Sequence, residues 1–274
     1  MIRLPSTTLP TDTQVSLEAY QSVINALPTY VERVERAKTD WKRYNVVGGS
    51  TFDSVKLSLD EMCFGARRCG YCEDSVGDEV EHIYPKNIYP NRAFLWENYL
   101  YACGPCNSPK SDRFEIFRDS DGNRQNVQPP RTRPPQPRIA PPPSGAPVLI
   151  DPRHENPMDY LILDMADTFF FQPIAEKGTE EWVRADYTRR VLHLNDRGYL
   201  IRARKSAFST CQRYIGDYIR QRDGGKPRTA LEHLFQHEIY ELSHISVWKE
   251  IQRQHQSHSA LRELFRQAPE ALNW

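Results

Sequence analysis

The sequence predicts a mainly helical protein of the α+β class, in which a small unit of two strands and a helix is stapled by cysteines. Three observations lead to this fold class. Apolar residues recur at helical spacing towards both ends of the chain, two Cys-x2-Cys pairs enclose strand-like alternation, and prolines crowd the stretch that follows. We therefore predict four regions: an N-terminal helical arm over 1–66, a cysteine-stapled core over 67–118, a proline-rich linker over 119–147 and a mostly helical C-terminal region over 148–274.

The composition is that of a soluble chain long enough for one large domain or two small ones. It has 274 residues, of which 26% are charged and 39% hydrophobic, and a mean hydropathy of -0.69. No window approaches the roughly 18 apolar residues of a membrane span, and the N-terminus lacks a secretory apolar segment. We expect a cytoplasmic protein without a membrane partner. A net charge of +0 argues against nonspecific coating of nucleic acid but allows a local basic surface.

The N-terminal arm is predicted to be helical throughout. Residues 14–45 carry apolar side chains near helical spacing, and Pro28 is expected to end one helix or begin the next. A further helix is predicted over 52–66. The apolar positions of the first stretch are Val15, Leu17, Tyr20, Ile24, Leu27, Val31, Val34 and Trp41.

Four of the six cysteines form two Cys-x2-Cys pairs, Cys69 with Cys72 and Cys103 with Cys106. Zinc prefers four thiolates in a tetrahedron, and each pair can present two sulfurs to one ion. The 30 residues between the pairs are enough for a hairpin that brings them together. We predict a structural zinc ion, because four protein ligands leave no open position for water. The alternative is two unrelated pairs of cysteines in turns.

The segment between the cysteine pairs predicts a strand, a loop, a returning strand and a helix. Residues Val80–Tyr84 alternate as a strand does and stop at Pro85, and Tyr99–Ala102 suits the returning strand. A helix can begin directly after the second cysteine pair. This order places His82 on the first strand and Asn107 on the helix that faces it.

The proline-rich linker follows. Nine prolines lie within 129–147, and Arg131, Arg133 and Arg138 stand among them. Such a stretch is expected to form neither a helix nor a sheet ladder, so we predict an extended, polyproline-like linker. An SH3-type ligand is the alternative, and the arginines could contact a phosphate backbone.

The C-terminal region is predicted to begin with short strands and to continue as helices. Strands are expected at 148–152, 160–163 and 168–171, and amphipathic helices over 199–219 and 229–255. The basic face from Arg202 to Arg220 is either a solvated helix face or a DNA contact. His233 and His237 stand four residues apart, but no glutamate completes a zinc-protease motif, so we interpret them as solvent or interface histidines.

The polar residues of the core suit the hydrolysis of a phosphodiester. A neutral histidine such as His82 can take a proton from water near neutral pH, since its free pKa is about 6.5. A divalent cation can neutralise the phosphate, and the oxygens of Glu81 and Asn107 suit magnesium or manganese. Lys86 and Lys110 could hold neighbouring phosphates as point charges.

The order of these motifs resembles the zinc-knuckle branch of the HNH, or ββα-metal, endonucleases. The resemblance runs from Cys69 to Lys110, and it rests on the cysteine pairs, the Glu-His dipeptide, a middle asparagine and the Cys-Asn-x-x-Lys sequence. It implies a metal-dependent endonuclease that hydrolyses phosphodiester bonds in DNA, with a structural zinc and a catalytic magnesium or manganese ion.

The same resemblance implies a role for each polar residue. His82 would be the general base, Asn98 would brace the loop between the strands, and Asn107 would bind the catalytic metal. Glu81 stands where the family commonly has Asp or His as a metal ligand. This departure keeps a carboxylate but lengthens it, which leaves the exact ligation by Glu81 open.

A looser resemblance connects the chain to the HNH subunit of Septu and retron-linked anti-phage systems. It rests on Cys-Gly-Tyr-Cys-Glu, on Glu-His-x-x-Pro-Lys, on Leu-Ile-Asp-Pro-Arg at 149–153 and on Leu194-Asn195 before an arginine-rich helix. In those systems the nuclease accompanies an ABC-like ATPase. The resemblance implies a prokaryotic anti-phage effector whose C-terminal helices could dock such a partner.

Other functions fit the same residues. The unit could be a zinc-stapled nucleic-acid- or protein-binding module that does not cleave, or a subunit whose nuclease is latent until an ATPase partner releases it. Glu81 could be a salt-bridged carboxylate, and Lys110 could cap or solvate its helix. The target sequence and the choice between DNA and RNA are open. A homodimer is possible, because HNH units that make double-strand breaks often act in pairs.

Overall fold

The computed structural model describes residues 1–128 and 139–274, and in these two ranges it has nine α-helices and seven short strands. The helices are α1 (Thr11–Asn25), α2 (Tyr30–Tyr44), α3 (Ser50–Asp60), α4 (Gly104–Lys110), α5 (Glu180–Val191), α6 (Gly198–Asp223), α7 (Arg228–Tyr240), α8 (Ile245–Gln254) and α9 (Ser259–Gln267). The strands are β1 (Glu79–His82), β2 (Tyr99–Ala102), β3 (Glu115–Arg118), β4 (Arg124–Asn126), β5 (Gly145–Pro147), β6 (Leu161–Leu163) and β7 (Phe171–Pro173). Helices dominate and the sheets are small, in agreement with the predicted α+β class. No helix in the described ranges combines the length and apolarity needed to cross a membrane.

The strands form three small antiparallel sheets. β1 pairs with β2, β3 lies between β4 and β5, and β6 pairs with β7. The first sheet is followed at once by α4, so the strand, strand and helix occur in the predicted order. In the β1–β2 hairpin Glu81 lies opposite Leu100 and His82 lies opposite Tyr99.

The two faces of this hairpin are buried in two different cores. Because successive side chains of a strand point to opposite faces, Val80 and His82 share one face with Tyr99 and Tyr101. Val80, Tyr99 and Tyr101 pack on the N-terminal arm, in a core that also contains Leu17, Ile24, Ala37, Trp41, Phe52, Val55 and Leu59. Leu100 and Ala102 belong to a larger core, which the cysteine unit shares with the C-terminal helices. The hairpin is therefore fixed from both sides.

The N-terminal arm has the predicted helices, with one boundary moved. α2 begins directly after Pro28 and Thr29, and a capping box in which the Thr29 hydroxyl and the Glu32 carboxylate bond each other's backbone N–H groups fixes its start. The helix predicted over 52–66 ends at Asp60. The chain then turns, and Gly65 has a φ of 61° and lies against the backbone of Glu241, where a side chain would not fit.

The stretch predicted as a linker without sheet hydrogen bonds contributes two strands, so this part of the prediction was wrong. β4 and β5 flank β3, which ends the cysteine-stapled core. β4 precedes the prolines, and β5 lies at the edge of its sheet, where Pro147 is tolerated because an edge strand need not donate every N–H. Gly145 lies so close to the Phe117 carbonyl that a Cβ would not fit. Arg131, Arg133 and Arg138 lie outside the described residues.

The C-terminal region agrees with the prediction in part. The predicted helix over 199–219 is α6, whereas the helix predicted over 229–255 is interrupted between α7 and α8. The interruption occurs at His244, which has a φ of 59° and whose buried ring lies 3.2 Å from the Asp74 carboxylate. The Glu73 carboxylate accepts hydrogen bonds from the backbone and hydroxyl of Ser246 in the first turn of α8. These contacts, distant in sequence, override the helical periodicity. The strand predicted at 148–152 is absent.

Candidate active site and metal centre

The four cysteines of the two pairs converge on one point. Their sulfurs all lie within 4.8 Å of one another, all four residues are buried, and the Cys72 and Cys103 sulfurs are 3.7 Å apart. A zinc ion at about 2.3 Å from four thiolates places the sulfurs about 3.8 Å apart. None of the four is in a disulfide. The donor set and its spacing therefore fit a structural zinc ion.

Local hydrogen bonds form the two cysteine turns, and the hairpin brings them together. The Cys69 N–H donates to the Ser75 carbonyl (2.9 Å), and the Gly70 N–H donates to the Tyr101 carbonyl on β2 (2.8 Å). The second turn lies where β2 passes into α4. Gly77 makes the close approach possible, since a Cβ there would lie 2.7 Å from both the Arg68 carbonyl and the Tyr101 side chain.

Arg197 supplies a cation to the cysteine cluster from the C-terminal region. Its Nη2 donates to the Cys106 sulfur (3.2 Å) and to the Leu192 carbonyl (3.0 Å), and its Nε donates to the His193 carbonyl (3.0 Å). A donor of this kind orients a metal-ligating sulfur and offsets its charge. Sequence analysis missed Arg197, because 91 residues separate it from Cys106.

His82 is buried at the end of β1 with a defined tautomer. Its Nε2 lies 2.9 Å from the Ala93 carbonyl, which can only accept a hydrogen bond. Nε2 therefore carries the hydrogen, and Nδ1 is the basic nitrogen. The Tyr99 hydroxyl donates to the same carbonyl (2.7 Å), and the Trp41 ring lies edge-on to the imidazole with 4.1 Å between centroids.

The surroundings of His82 keep it neutral. Burial, together with the positive charges of Lys86 and Lys110, holds the pKa of His82 well below its ordinary value of 6.5. The hydrogen bond to Ala93 acts in the opposite direction and does not outweigh them. At neutral pH the imidazole is therefore unprotonated and able to accept a proton.

Glu81 and Lys110 form a buried ion pair on the other face of the hairpin. The Lys110 Nζ lies 2.5 Å from Glu81 Oε1 and donates to the His82 carbonyl at 2.8 Å. Burial raises the pKa of Glu81, and the charge of Lys110 opposes this shift only in part. Glu81 Oε1 therefore already has a buried cation as its partner.

The two asparagines have different surroundings. Asn98 is buried and braces the loop between the strands: its Oδ1 accepts from the Tyr84 N–H (2.7 Å), and its Nδ2 donates to the carbonyls of Tyr84 (3.0 Å) and Arg92 (2.8 Å). Asn107 is half-buried on α4, and its Nδ2 donates to the Glu79 carboxylate at 2.5 Å. The side-chain oxygen of Asn107 accepts no hydrogen bond among the described residues.

A polar cleft of about 440 Å³ joins these groups. The cleft is lined by Glu81, His82, Lys86 and Asn107 together. Asn98 and Lys110 are not among its lining residues. Lys86 is half-buried, and its ammonium lies 5.4 Å from the centre of the Trp41 ring. Among the described residues no carboxylate lies within ion-pair distance of Lys86, whereas Lys110 is fully buried against Glu81.

Three further residues of the site were not predicted from sequence. Trp41 forms a wall of the cleft from α2, Tyr99 shares the hydrogen-bond acceptor of His82, and Glu79 binds Asn107. Trp41 was predicted only as an apolar helix position. The alternation of β1 could have identified Glu79, because it lies two residues from Glu81 on the same face.

Comparison with known proteins gives one partial similarity. The chain is 39% identical over 71 residues to the Septu protein PtuB of Bacillus thuringiensis, a match that covers 24% of this chain. The match spans 26% of the length of that relative, or about a quarter. No protein-family model and no solved structure matches the chain.

The first prediction concerns the cysteine cluster. Cys103→Ser should remove the bound zinc and lower the free energy of unfolding by more than ~4 kcal/mol, because structural metal binding is coupled to folding. In a chain of this size such a loss lowers the midpoint of thermal unfolding by about 10 °C or more. Metal analysis and thermal unfolding of the purified variant measure both effects. A Cys63→Ser variant, outside the cluster, is the control, and a fully folded zinc-free Cys103→Ser protein would contradict the prediction.

Proposed function

We propose that the chain is a metal-dependent endonuclease of the HNH type that hydrolyses phosphodiester bonds in DNA. The observation that supports this most is the cleft itself. It brings a neutral, tautomerically fixed histidine together with a carboxylate, an amide oxygen and a lysine that lacks a carboxylate partner among the described residues. A purely structural zinc unit needs none of these groups.

His82 acts as the general base in this proposal. Its Nδ1 accepts a proton from a water molecule, and the oxygen of that water attacks phosphorus. The Nε2–H bond to the Ala93 carbonyl holds the ring in place and stabilises the imidazolium that forms. Trp41 and Tyr99 pack around the ring and limit its rotation, and His82 lines the cleft.

Glu81 and Asn107 would hold the catalytic magnesium or manganese ion. Carboxylate and amide oxygens are ligands that both ions prefer, and Glu81 and Asn107 both line the cleft. When bound, such an ion neutralises phosphate charge and stabilises the leaving oxygen. Lys110 holds the Glu81 carboxylate in place through their ion pair. Lys86, which lines the cleft, would contact a neighbouring phosphate. Direct phosphate contact by Lys110 is less favoured, because its ammonium is buried.

We further propose that this nuclease belongs to a prokaryotic anti-phage defence system and acts with an ABC-like ATPase. The partial similarity to the Septu protein PtuB supports this. The C-terminal helices, beyond the cleft, are the proposed docking surface. The alternative is a zinc-stapled binding module without catalysis, and the experiments below separate the two.

The deciding experiment is plasmid cleavage with magnesium or manganese. His82→Asn and His82→Ala should each lower the cleavage rate by about 10²–10⁴-fold, because the general base is lost, while zinc content and folding are kept. His82→Asn retains a polar group against Ala93 and guards against a packing defect. His233→Ala, an exposed histidine on α7, is the matched control and should cleave like the wild type. Undiminished cleavage by both His82 variants would exclude the proposed mechanism.

The acidic limb of the pH–rate profile provides a second prediction. Since the pKa of His82 is lowered, its neutral form persists on acidification, and the limb of kcat/KM should lie below pH 6.5. Lys86→Gln removes one positive charge that lowers this pKa and should move the limb to higher pH. Initial rates between pH 5 and pH 8 test both statements, and an unshifted limb in Lys86→Gln would speak against His82 as the titrating group.

The partner proposal has a test of its own. We expect cleavage by the isolated chain to be weak and to rise at least about tenfold when the ATPase that co-purifies from the native host is added with ATP. His82→Asn in the same complex separates cleavage by this chain from a contaminating nuclease. Equal cleavage with and without the ATPase would remove the partner-dependent part of the proposal and leave the nuclease itself.

A further inference from the structure

The sequence Leu-Ile-Asp-Pro-Arg at 149–153 takes no part in the cleft, yet its arginine contacts the hairpin that carries the cleft. Arg153 Nη1 donates to the Trp96 carbonyl and, at 2.8 Å, to the Tyr99 carbonyl. Its guanidinium also lies 4.3 Å from the centre of the Trp96 ring. One side chain therefore clamps the corner where the loop between the strands enters β2.

This corner contains the groups that hold His82. Asn98, which braces the loop through Tyr84 and Arg92, lies between the two carbonyls that Arg153 binds. Tyr99 extends its hydroxyl to the Ala93 carbonyl, the acceptor that also fixes His82 Nε2. Arg153 is thus connected to the imidazole through Tyr99, whose main-chain carbonyl binds Arg153 and whose hydroxyl shares the Ala93 carbonyl with His82.

Arg153 makes contacts that are unusual for a charged side chain. The residue is half-buried, and burial lowers its pKa despite the partial compensation from Asp151 and Glu97. Within the described ranges it forms no ion pair, and its guanidinium donates to backbone carbonyls instead. A half-buried cation that donates to main-chain oxygens fixes the path of the backbone. An apolar side chain of the same volume cannot do this.

The loop that carries Arg153 is itself anchored to α5. The Ile150 N–H donates to the Thr188 hydroxyl on α5 (3.0 Å), and Glu155 forms an ion pair with Arg184 on the same helix (2.5 Å). The Asp151 carboxylate accepts from the Arg153 N–H (2.9 Å) and so shapes the turn. α5 therefore supports the position of the guanidinium.

We propose that Arg153 is a positioning residue for His82: by clamping the carbonyls of Trp96 and Tyr99 it holds the hairpin corner, and through it the imidazole, in the orientation that the cleft requires. The C-terminal region thereby completes the site. This inference rests on the proposed function for its catalytic consequence, but the placement of the imidazole can be measured without cleavage.

The test compares Arg153→Met, Arg153→Lys and Arg253→Met in the full chain. Arg253 is the control, because it also donates to two backbone carbonyls, those of Met158 and Leu161, and lies away from the hairpin; unlike Arg153 it also forms an ion pair with the buried Glu250. Arg153→Met should lower kcat by about 10–100-fold with KM changed less than about twofold, as a misplaced catalytic group does. Arg153→Lys, which can still donate to both carbonyls, should recover most of kcat, and Arg253→Met should keep it.

Long-range proton–nitrogen NMR spectra of the histidine side chains give the second readout. The His82 signal, assigned by its loss in His82→Asn, should show the Nε2–H tautomer in the wild type, Arg153→Lys and Arg253→Met. In Arg153→Met it should broaden or show a second tautomer. An unchanged His82 signal in Arg153→Met, or equal losses of kcat in the Arg153→Met and Arg253→Met variants, would overturn the inference. Absence of cleavage in the wild type would instead count against the proposed nuclease, and the NMR comparison would still decide the role of Arg153.

Discussion

The convergence of four cysteine sulfurs is the constraint on which the rest of the site depends. The two cysteine turns lie before β1 and after β2 and meet at the open end of the hairpin, where Glu79 lies opposite Ala102, so joining them fixes the strand register and the start of α4 together. Glu79 and Glu81 then face Asn107 and Lys110 across a short distance. A seven-residue helix and two four-residue strands are too short to hold this geometry alone, and the proposed zinc ion supplies the missing constraint.

The two faces of the hairpin give His82 and Glu81 different electrostatic surroundings. On one face, aromatic rings and burial keep His82 uncharged, and on the other Lys110 compensates the buried charge of Glu81. Burial shifts both groups towards their neutral forms, but only Glu81 has a buried ammonium group beside it that opposes the shift. The proposed base must be neutral and the proposed metal ligand ionised, and the unequal surroundings of the two side chains favour this difference in charge.

Sequence reasoning predicted the parts of the site that depend on local spacing. The cysteine pairs, the alternation through His82 and a helix at the second pair follow from residues close to one another in the chain, although α4 begins at Gly104, between the two cysteines rather than after them. Trp41, Arg153 and Arg197 could not be assigned, because their roles depend on contacts across tens of residues. The strands beside the prolines and the break at His244 were misjudged for the same reason, since neighbouring elements outweigh local preference there.

The group that orients His82 is a main-chain carbonyl, and this limits how the site can change during evolution. No substitution at position 93 deletes that acceptor; it can only alter the room around it, where Ala93 is fully buried. Variants with a misplaced imidazole are therefore expected to carry larger residues at position 93, or changes elsewhere that shift the chain. The orientation of the imidazole is encoded in the path of the backbone, so an exchange alters it by moving the backbone, as proposed for Arg153.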